Sequence, residues 1–600
     1  MRSISPHLKF ALLPISIGIT GHRDVSENDV ERARRTVRAL INQVASEHPH
    51  SPLRLISPLA EGADRLAAEE FLAAQARRVQ EKDPIADCWE LVVPLPLPKD
   101  LYTSDFPTTI DAFESLVAKA ALVVELPLEE GCTPSNISTY GAPRDAQYAA
   151  VGRYVAHHSN VLIALWDGTY NGKTGGTAQI VEYKLRGIVP GHAGLAQHDY
   201  DRGEVFHIHV NRAGIPGAAS GPIVSPTSNH YSHLKPDEVD GHYQTLSAGL
   251  RAIDVYNATL IESGLGAAEL DRAGRELSPG AYAESPNPTL DALHEQIVGS
   301  LDASSRRTLA LYQGLDQLAV LLQKRRERLL NVMYGLGALA LAFQWTAHEG
   351  IYRYYFYGLY LVTMLAAIEC YRRLRRPQLE NDQHFYRVFA ESLRVQFYWS
   401  IGALADAAGH VRIPIVSAGL LRQQLHEIGW VREGLRAIGL FEYGSTTLDN
   451  ATRKNYALFW IELQLRYFKK TEVKHDRSAR LITQACYILT ALNFIFMLLK
   501  FLLEDRFPIL RPWVPGLGVL EALVLAWALL LQTYAHLRAL SEMAKNMGRM
   551  RAVFARARVS LQHEDPASFN RSLDEVGRES LTEAVNWLTL RKSRPAALPH

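Results

Sequence analysis

Between residues 15 and 212, short apolar runs alternate with amphipathic stretches. Ile15–Ile19, Leu53–Ser57, Glu90–Leu95, Leu122–Leu126, Val161–Trp166 and Val205–Val210 are short and mostly apolar without alternation. Helical stretches fall between several of them, over Val25–Glu47, Ala63–Gln80, Pro143–His158 and Thr177–Arg186. Apolar strands alternating with helices predict a parallel sheet covered on both faces, so 12–212 reads as an α/β, doubly wound, Rossmann-like domain. The start of the chain mimics a signal peptide, with Arg2, Lys9 and an apolar run from Phe10. Pro14 interrupts that run and no small-x-small site follows, so Ile15–Ile19 is expected as a buried first strand.

Residues 213–328 read as a linker and helical stalk. Gly, Pro, Ser and Asn dominate 213–240 and a polar stretch covers Gly274–Pro288, with helices expected over Gly241–Glu262 and Thr289–Arg328. The remainder contains two apolar windows, each shaped like a helical hairpin: Leu329–Ala347 with Tyr354–Tyr371, and Leu481–Leu503 with Trp513–Tyr534. Each stretch approaches the ~20 residues that cross a bilayer core. Four transmembrane helices are therefore expected, in hairpins at 329–371 and 481–534, with an all-α cytosolic segment at 372–480 and cytosolic helices at 535–600. Each hairpin enters and leaves through basic residues, Lys324–Arg328 and Arg372–Arg376 for the first, Lys469–Arg480 and Arg538–Arg551 for the second. The connectors carry little charge. Cationic flanks stay on the cytoplasmic side, which predicts a multi-pass protein of the inner (cytoplasmic) membrane with both termini cytosolic.

Composition narrows the classes. The chain has 600 residues, enough for several structural units, and 21% are charged, which excludes wholesale disorder. Lys and Arg number 64 against 63 Asp and Glu, so no global basic field argues for nucleic acid as a partner. The four cysteines, Cys88, Cys132, Cys370 and Cys486, are far apart and form no CxxC pair, so neither a disulfide scaffold nor a thiolate zinc site is expected.

The candidate chemistry sits in three glycine-bearing turns, each after a predicted strand and before a predicted helix. They are Thr20-Gly21-His22-Arg23, Glu61-Gly62-Ala63-Asp64 and Gly172-Lys173-Thr174-Gly175-Gly176-Thr177. A parallel sheet brings all three to its carboxyl edge, where ligands bind at a switch point. Helix N-termini there offer free N–H groups and a positive dipole end, and glycine lets a phosphate approach. Thr20 and Thr177 add hydroxyls, and Arg23 or Lys173 adds charge. Asp167, after the fifth strand, either orients a ribose or forms the turn. The pattern is neither GxGxxG nor a Walker A loop, which disfavours classical NAD binding and P-loop hydrolysis.

ITGHRD (19–24), ISPLAEGADRLAAE (56–69) and VLIALWDGTYNGKTGGTAQIV (161–181) together resemble the SLOG superfamily, over roughly residues 12–212. That group includes lysine-decarboxylase-like nucleotide hydrolases, the DNA-uptake protein DprA, and sensor domains of bacterial conflict systems and TRPM-type channels. The hairpins, and the post-span helix with Arg387, Glu391 and Arg394, resemble SLATT-type two-transmembrane effector modules. The resemblance implies a nucleotide-derived ligand, ADP-ribose-like or a cyclic nucleotide, at the Gly175-Gly176-Thr177 turn; with the residues of the other turns the candidate ligand-binding set is Thr20, Gly21, His22, Arg23, Glu61, Gly62, Asp64, Asp167, Gly175, Gly176 and Thr177, with no further cofactor assigned. Hydrolytic members carry PGGxGTxxE. The position of their Glu is Ile180 here, and Glu182 falls on a different helix face. No catalytic residue is therefore assigned, although Glu61, Asp64 or Glu182 remains available as a relocated acid.

His207 and His209 alternate on a strand without an identifiable third ligand, so no metal site is expected. Glu521 and Asn493 lie within the expected fourth and third spans, where polar groups are functional by default, and are the pore candidates. The expectation is a ligand-gated membrane effector that acts as a homo-oligomer in the lipid bilayer, in antiviral or conflict signalling. The rival is a membrane-tethered nucleotide hydrolase.

Overall fold

A computed structural model describes residues 6–170, 172–186, 203–213, 232–234, 246–266, 303–349, 353–376, 379, 382–405, 429–438, 448–506, 514–562 and 565–593. The chain divides into two units. The first comprises Met1–Asp271, Ser300–Gly314 and Ala407–Thr447, and the second Arg272–Gly299, Leu315–Asp406 and Leu448–His600.

The first unit is built on a sheet of strands β1 (Ile15–Gly21), β2 (Leu53–Ile56), β3 (Glu90–Leu95), β4 (Leu122–Glu125), β5 (Val161–Trp166), β6 (Glu204–His209) and β7 (Ser232–Leu234). Their order is β4-β3-β2-β1-β5-β6-β7. All pairs are parallel except β6 with β7. The six parallel strands fall where the apolar runs predict, within two residues at each end. The seventh, antiparallel strand lies inside the stretch expected as loop, because three residues with no apolar alternation leave no period to read.

The helices of this unit are α1 (Pro6–Lys9), α2 (Glu27–Glu47), α3 (Ala63–Gln80), α4 (Lys99–Thr103), α5 (Ile110–Val117), α6 (Ala142–His158), α7 (Thr177–Arg186) and α8 (Leu246–Glu262). The two short helices between β3 and β4 were not legible in the periodicity. β2 and β5 are buried along their whole length, as is β1 over its first five residues, as a sheet covered on both faces requires. The core around β5 packs Val155, Ile180 and Trp166 against Val92, Leu162 and Val205.

The chain leaves β1 toward β2 on one side and leaves β5 toward β6 on the other. The β1/β5 boundary is therefore the topological switch point. At the opposite end of β2, the buried Arg54 binds Glu90 at 2.9 Å, and Arg307 binds the same carboxylate. Burial, then the neighbouring Arg307, bring the Arg54 guanidinium down to about 10.

The remaining helices are α9 (Ala303–Glu349), α10 (Arg353–Leu374), α11 (Gln383–Gly402), α12 (Gly429–Ile438), α13 (Asn450–Arg506), α14 (Val514–Arg538), α15 (Leu540–Ser560) and α16 (Pro566–Lys592). The stalk helix and the first apolar window are one 47-residue helix, α9. The expected stretch 289–302 lies outside the described residues. The segment 372–480 is divided: α12 belongs to the first unit, where Asn160 donates to the Glu433 carbonyl at 2.9 Å.

Among the described residues, three stretches are long and apolar enough to cross a membrane: Ser305–Ala347, Asn450–Leu502 and Gly516–Ser560, with mean hydropathy of 1.3, 1.9 and 1.7 over their best windows. Four were expected. α10 has the length, at 22 residues, but Glu369 and the tyrosines Tyr354, Tyr355, Tyr357, Tyr360 and Tyr371 hold its hydropathy below that of this set. In the second unit α9, α10 and α14 share an apolar core of Leu330, Met333, Leu374, Leu530 and Leu537. No residue in the apolar window of α13 is buried, and Tyr487, Phe494 and Phe501 are all more than 60% accessible, as a lipid-facing surface requires.

Candidate functional site

The carboxyl ends of β1 and β2 turn into loops that close a cleft of about 90 Å³. Thr20, Gly21, Arg23, Asp64, Gly175 and Thr177 line it, together with Tyr102, Tyr148, Gly152 and Ile180. The remaining expected residues, His22, Glu61, Gly62, Asp167 and Gly176, do not line the cleft and lie in the turns around it.

Gly62 explains why the first two turns lie so close. Its φ is +77°, and a Cβ there would sit 2.3 Å from the Arg23 carbonyl oxygen and 2.5 Å from that of His22. The Ala63 N–H donates to the His22 carbonyl at 3.0 Å, which seals the contact. The loop before it holds Leu59 at φ 60°, a left-handed conformation costly for a bulky side chain. Ser57 Oγ accepts the Leu59 N–H and Arg65 Nε donates to the Leu59 carbonyl, which together fix the strained residue. Glu61 accepts from Thr109 Oγ1.

In the third turn Gly175 adopts φ +74° and passes against the Tyr148–Ala149 backbone. Its N–H donates to Gln179 Oε1 at 2.7 Å, and the Gly176 N–H donates to the Lys173 carbonyl at 3.1 Å. Both glycine donors are thus engaged within the turn. Among the described residues, the Thr177 and Ala178 N–H groups at the start of α7 have no partner, so they are the donors the helix end offers to an anion.

Arg23 is the cation of the cleft. Its guanidinium stacks 5.0 Å from the Tyr148 ring and lies 3.7 Å from Asp105. Burial alone would lower it, but the Tyr148 and Tyr102 hydroxyls and Asp105 outweigh burial and hold it charged. Asp105 is almost fully buried, accepting from Arg144 at 2.6 Å, from Tyr140 at 2.9 Å and from Tyr148. Burial raises the Asp105 carboxyl; these three bonds outweigh that and keep it below the ordinary range. The sequence reading missed this support. Asp105 carries no motif, but Tyr148, Val151, Gly152 and Val155 form an i, i+3, i+4, i+7 stripe on α6 that faces the cleft.

Asp64 is the carboxyl of the cleft lining. Burial pushes its carboxyl up to about 7, against the lowering pull of Arg23 and of the Ala60 N–H at 3.3 Å. It exchanges a proton near neutrality. Ile180, where the hydrolytic pattern has Glu, lines the cleft as a buried apolar wall. Glu182 is outside the lining and pairs with Arg186 at 2.8 Å. His22 accepts the Asp167 N–H at Nε2, 3.1 Å, and burial lowers its pKa despite the nearby Asp167 carboxylate; it ties the β1 turn to the β5 turn.

The other candidates are separate. His207 Nε2 bonds the Trp166 carbonyl at 2.9 Å inside the sheet. Asn493 donates to the backbone carbonyl of Glu521 at 2.9 Å, so the two pore candidates meet across α13 and α14. Among the described residues no group of three metal-ligating side chains converges.

These features define a class: a Rossmann-like α/β domain with an anion-suited cleft, in one chain with membrane-length helices. Neither a known protein family nor a curated protein matches the chain.

Proposed function

We propose that this chain is a membrane-embedded sensor–effector. Its cleft binds a nucleotide-derived anion, ADP-ribose-like or a cyclic nucleotide, and its spans respond by gating or assembling a pore. The observation that carries the reading is convergence at the switch point. Arg23, Thr20 and Thr177 line one cleft, and, among the described residues, the N–H of Thr177 at the start of α7 is left without a partner. The apolar Ile180 stands where hydrolysis would want a carboxylate, which favours sensing over turnover.

In this reading α10 is the fourth crossing, since its exposed face carries Tyr354, Leu361, Val362 and Leu365. Both termini lie in the cytosol of a cell whose inner membrane holds the protein. Glu521 and Asn493 line a pore that several copies of the chain form together, and bacterial defence signalling is the setting the SLOG and SLATT resemblances suggest. A cleft of this size takes a phosphate or sugar, and leaves the rest of a nucleotide at its mouth.

The test is calorimetry on the detergent-solubilised chain with ADP-ribose and cyclic nucleotides. Arg23→Gln should weaken binding about 10- to 100-fold, the worth of a charge-assisted hydrogen bond. Undiminished binding would remove the cleft from the reading. Asp64 supports a second reading, a nucleotide hydrolase, because a carboxyl near 7 is poised for proton transfer. Steady release of base from nucleoside monophosphates, abolished by Asp64→Asn, would favour it.

A further inference from the structure

The four basic flanks of the apolar helices come to one level in the second unit. Arg538 at the end of α14 binds Glu327 of α9 at 3.1 Å, and Tyr534 donates to Asn331 at 3.2 Å. Leu374 of α10 packs with Leu330 and Leu537 in the same core, which brings Arg372–Arg376 to that height. On α13, Glu472 meets Arg551 of α15 at 3.3 Å, and Cys486 lies against the Ala528 carbonyl of α14. Residues 474–480 therefore sit between those two contacts, beside the end of α14.

The acids at this level are already engaged. Glu327 holds Arg538, Glu369 holds Arg373 at 2.8 Å, and Asp476 holds Arg480. Among the described residues, Lys324, Arg325, Arg328, Lys470, Lys474 and Arg477 are exposed and make no ion pair. Just beyond them begin the apolar windows of α9 and α13. Unneutralised cations on α9 and α13, at the foot of a lipid-facing surface, meet phospholipid headgroups first.

We propose that this belt is a binding surface for anionic phospholipid headgroups of the leaflet that faces the basic flanks. It rests on the membrane-embedded reading of the helices and goes beyond charge-biased orientation, because it requires preferential occupancy by anionic lipid once the chain is inserted. Each cation near an anionic surface favours association about fivefold, and salt screens the effect.

The experiment places the full chain in phosphatidylcholine vesicles with trace spin-labelled phosphatidylglycerol or phosphatidylcholine. The motionally restricted fraction of each label reports lipid held at the protein. The expected result is a severalfold preference for phosphatidylglycerol at low salt, falling toward unity in 0.5 M salt. Lys470→Gln with Lys474→Gln and Arg477→Gln should reduce it, while Lys470→Arg with Lys474→Arg keeps it. Equal restricted fractions for both labels at low salt overturn the proposal while leaving the spans in place. Absence of a restricted component for either label overturns the membrane reading itself, and the belt with it.

Discussion

Gly62→Ala perturbs the cleft through backbone alone. The new Cβ would lie 2.3 Å from the Arg23 carbonyl oxygen, 2.5 Å from the His22 oxygen and 2.6 Å from the Arg23 carbonyl carbon. Restoring ordinary contact requires the 22–23 turn or the start of α3 to shift by about 1 Å, since neither is a flexible side chain that can swing aside. The backbone at φ +77°, ψ −118° also belongs to the territory of glycine. Strain of this kind costs on the order of 1–3 kcal/mol, and the displaced turn adds to it. In a domain of this size each kcal/mol lowers Tm by about 2–4 °C, so a drop of about 5–10 °C is expected. A 1 Å shift of Arg23 breaks a charge-assisted hydrogen bond to phosphate, worth about 1.5–3 kcal/mol, or about 10- to 100-fold in affinity. Gly131→Ala is the control: φ is +83° there, but no atom lies within 4 Å of the new Cβ, so only conformational strain remains. Differential scanning fluorimetry and calorimetry with ADP-ribose read both effects. If Gly62→Ala matches Gly131→Ala in Tm and both bind like wild type, the close approach does not position Arg23 and the reasoning fails.

Asp64 titrates near 7, so its charged form opposes an anionic ligand above that pH. Affinity for a phosphate-bearing ligand should fall up to about tenfold per unit as pH rises above 7, and Asp64→Asn should flatten the calorimetric profile. Glu90 holds both Arg54 and Arg307, so Glu90→Gln removes the carboxylate that both buried guanidiniums share and should destabilise the first unit by about 3–5 kcal/mol, seen as a lower Tm. Glu583 on α16 accepts from Asn546 at 2.8 Å, and burial, with Glu391 nearby, raises it to about 7 against the pull of Arg387, Arg394 and Arg549. A carboxyl raised in the folded state favours folding at low pH and loses that contribution as pH climbs through 7. Hydrogen exchange in α16 should therefore show about tenfold more opening at pH 8 than at pH 6, and Glu583→Gln should abolish the difference.

The six parallel strands were legible because a sheet buried on both faces leaves continuous apolar runs, and the positions of Ala63–Gln80 and Thr177–Arg186 followed from the glycine turns before them. The turns also located Thr20, Arg23, Asp64 and Thr177 at the cleft. What they could not reveal was which N–H groups remain free. Gln179 and Lys173 consume the glycine donors through contacts set by the turn itself. Asp105 and Tyr148 come from elements far along the chain, and only tertiary packing brings them under Arg23. α10 was read as a span from its aromatic and aliphatic run. Its tyrosines and Glu369 lower its hydropathy, and neighbours on α9 and α14 supply part of its apolar environment.

The central claim is that ligand in the cleft controls the membrane helices, and dye flux from liposomes carrying the full chain tests it most directly. A shift of a closed population from 1:99 to 99:1 requires the ligand to favour the open state by about 5.5 kcal/mol. The account predicts that ADP-ribose-like or cyclic nucleotide ligand triggers flux, that Gly62→Ala and Arg23→Gln abolish the trigger, and that Glu521→Gln alters the size or selectivity of what passes. Ligand that binds tightly while flux stays at the level of empty liposomes, at protein densities that permit oligomers, would contradict it.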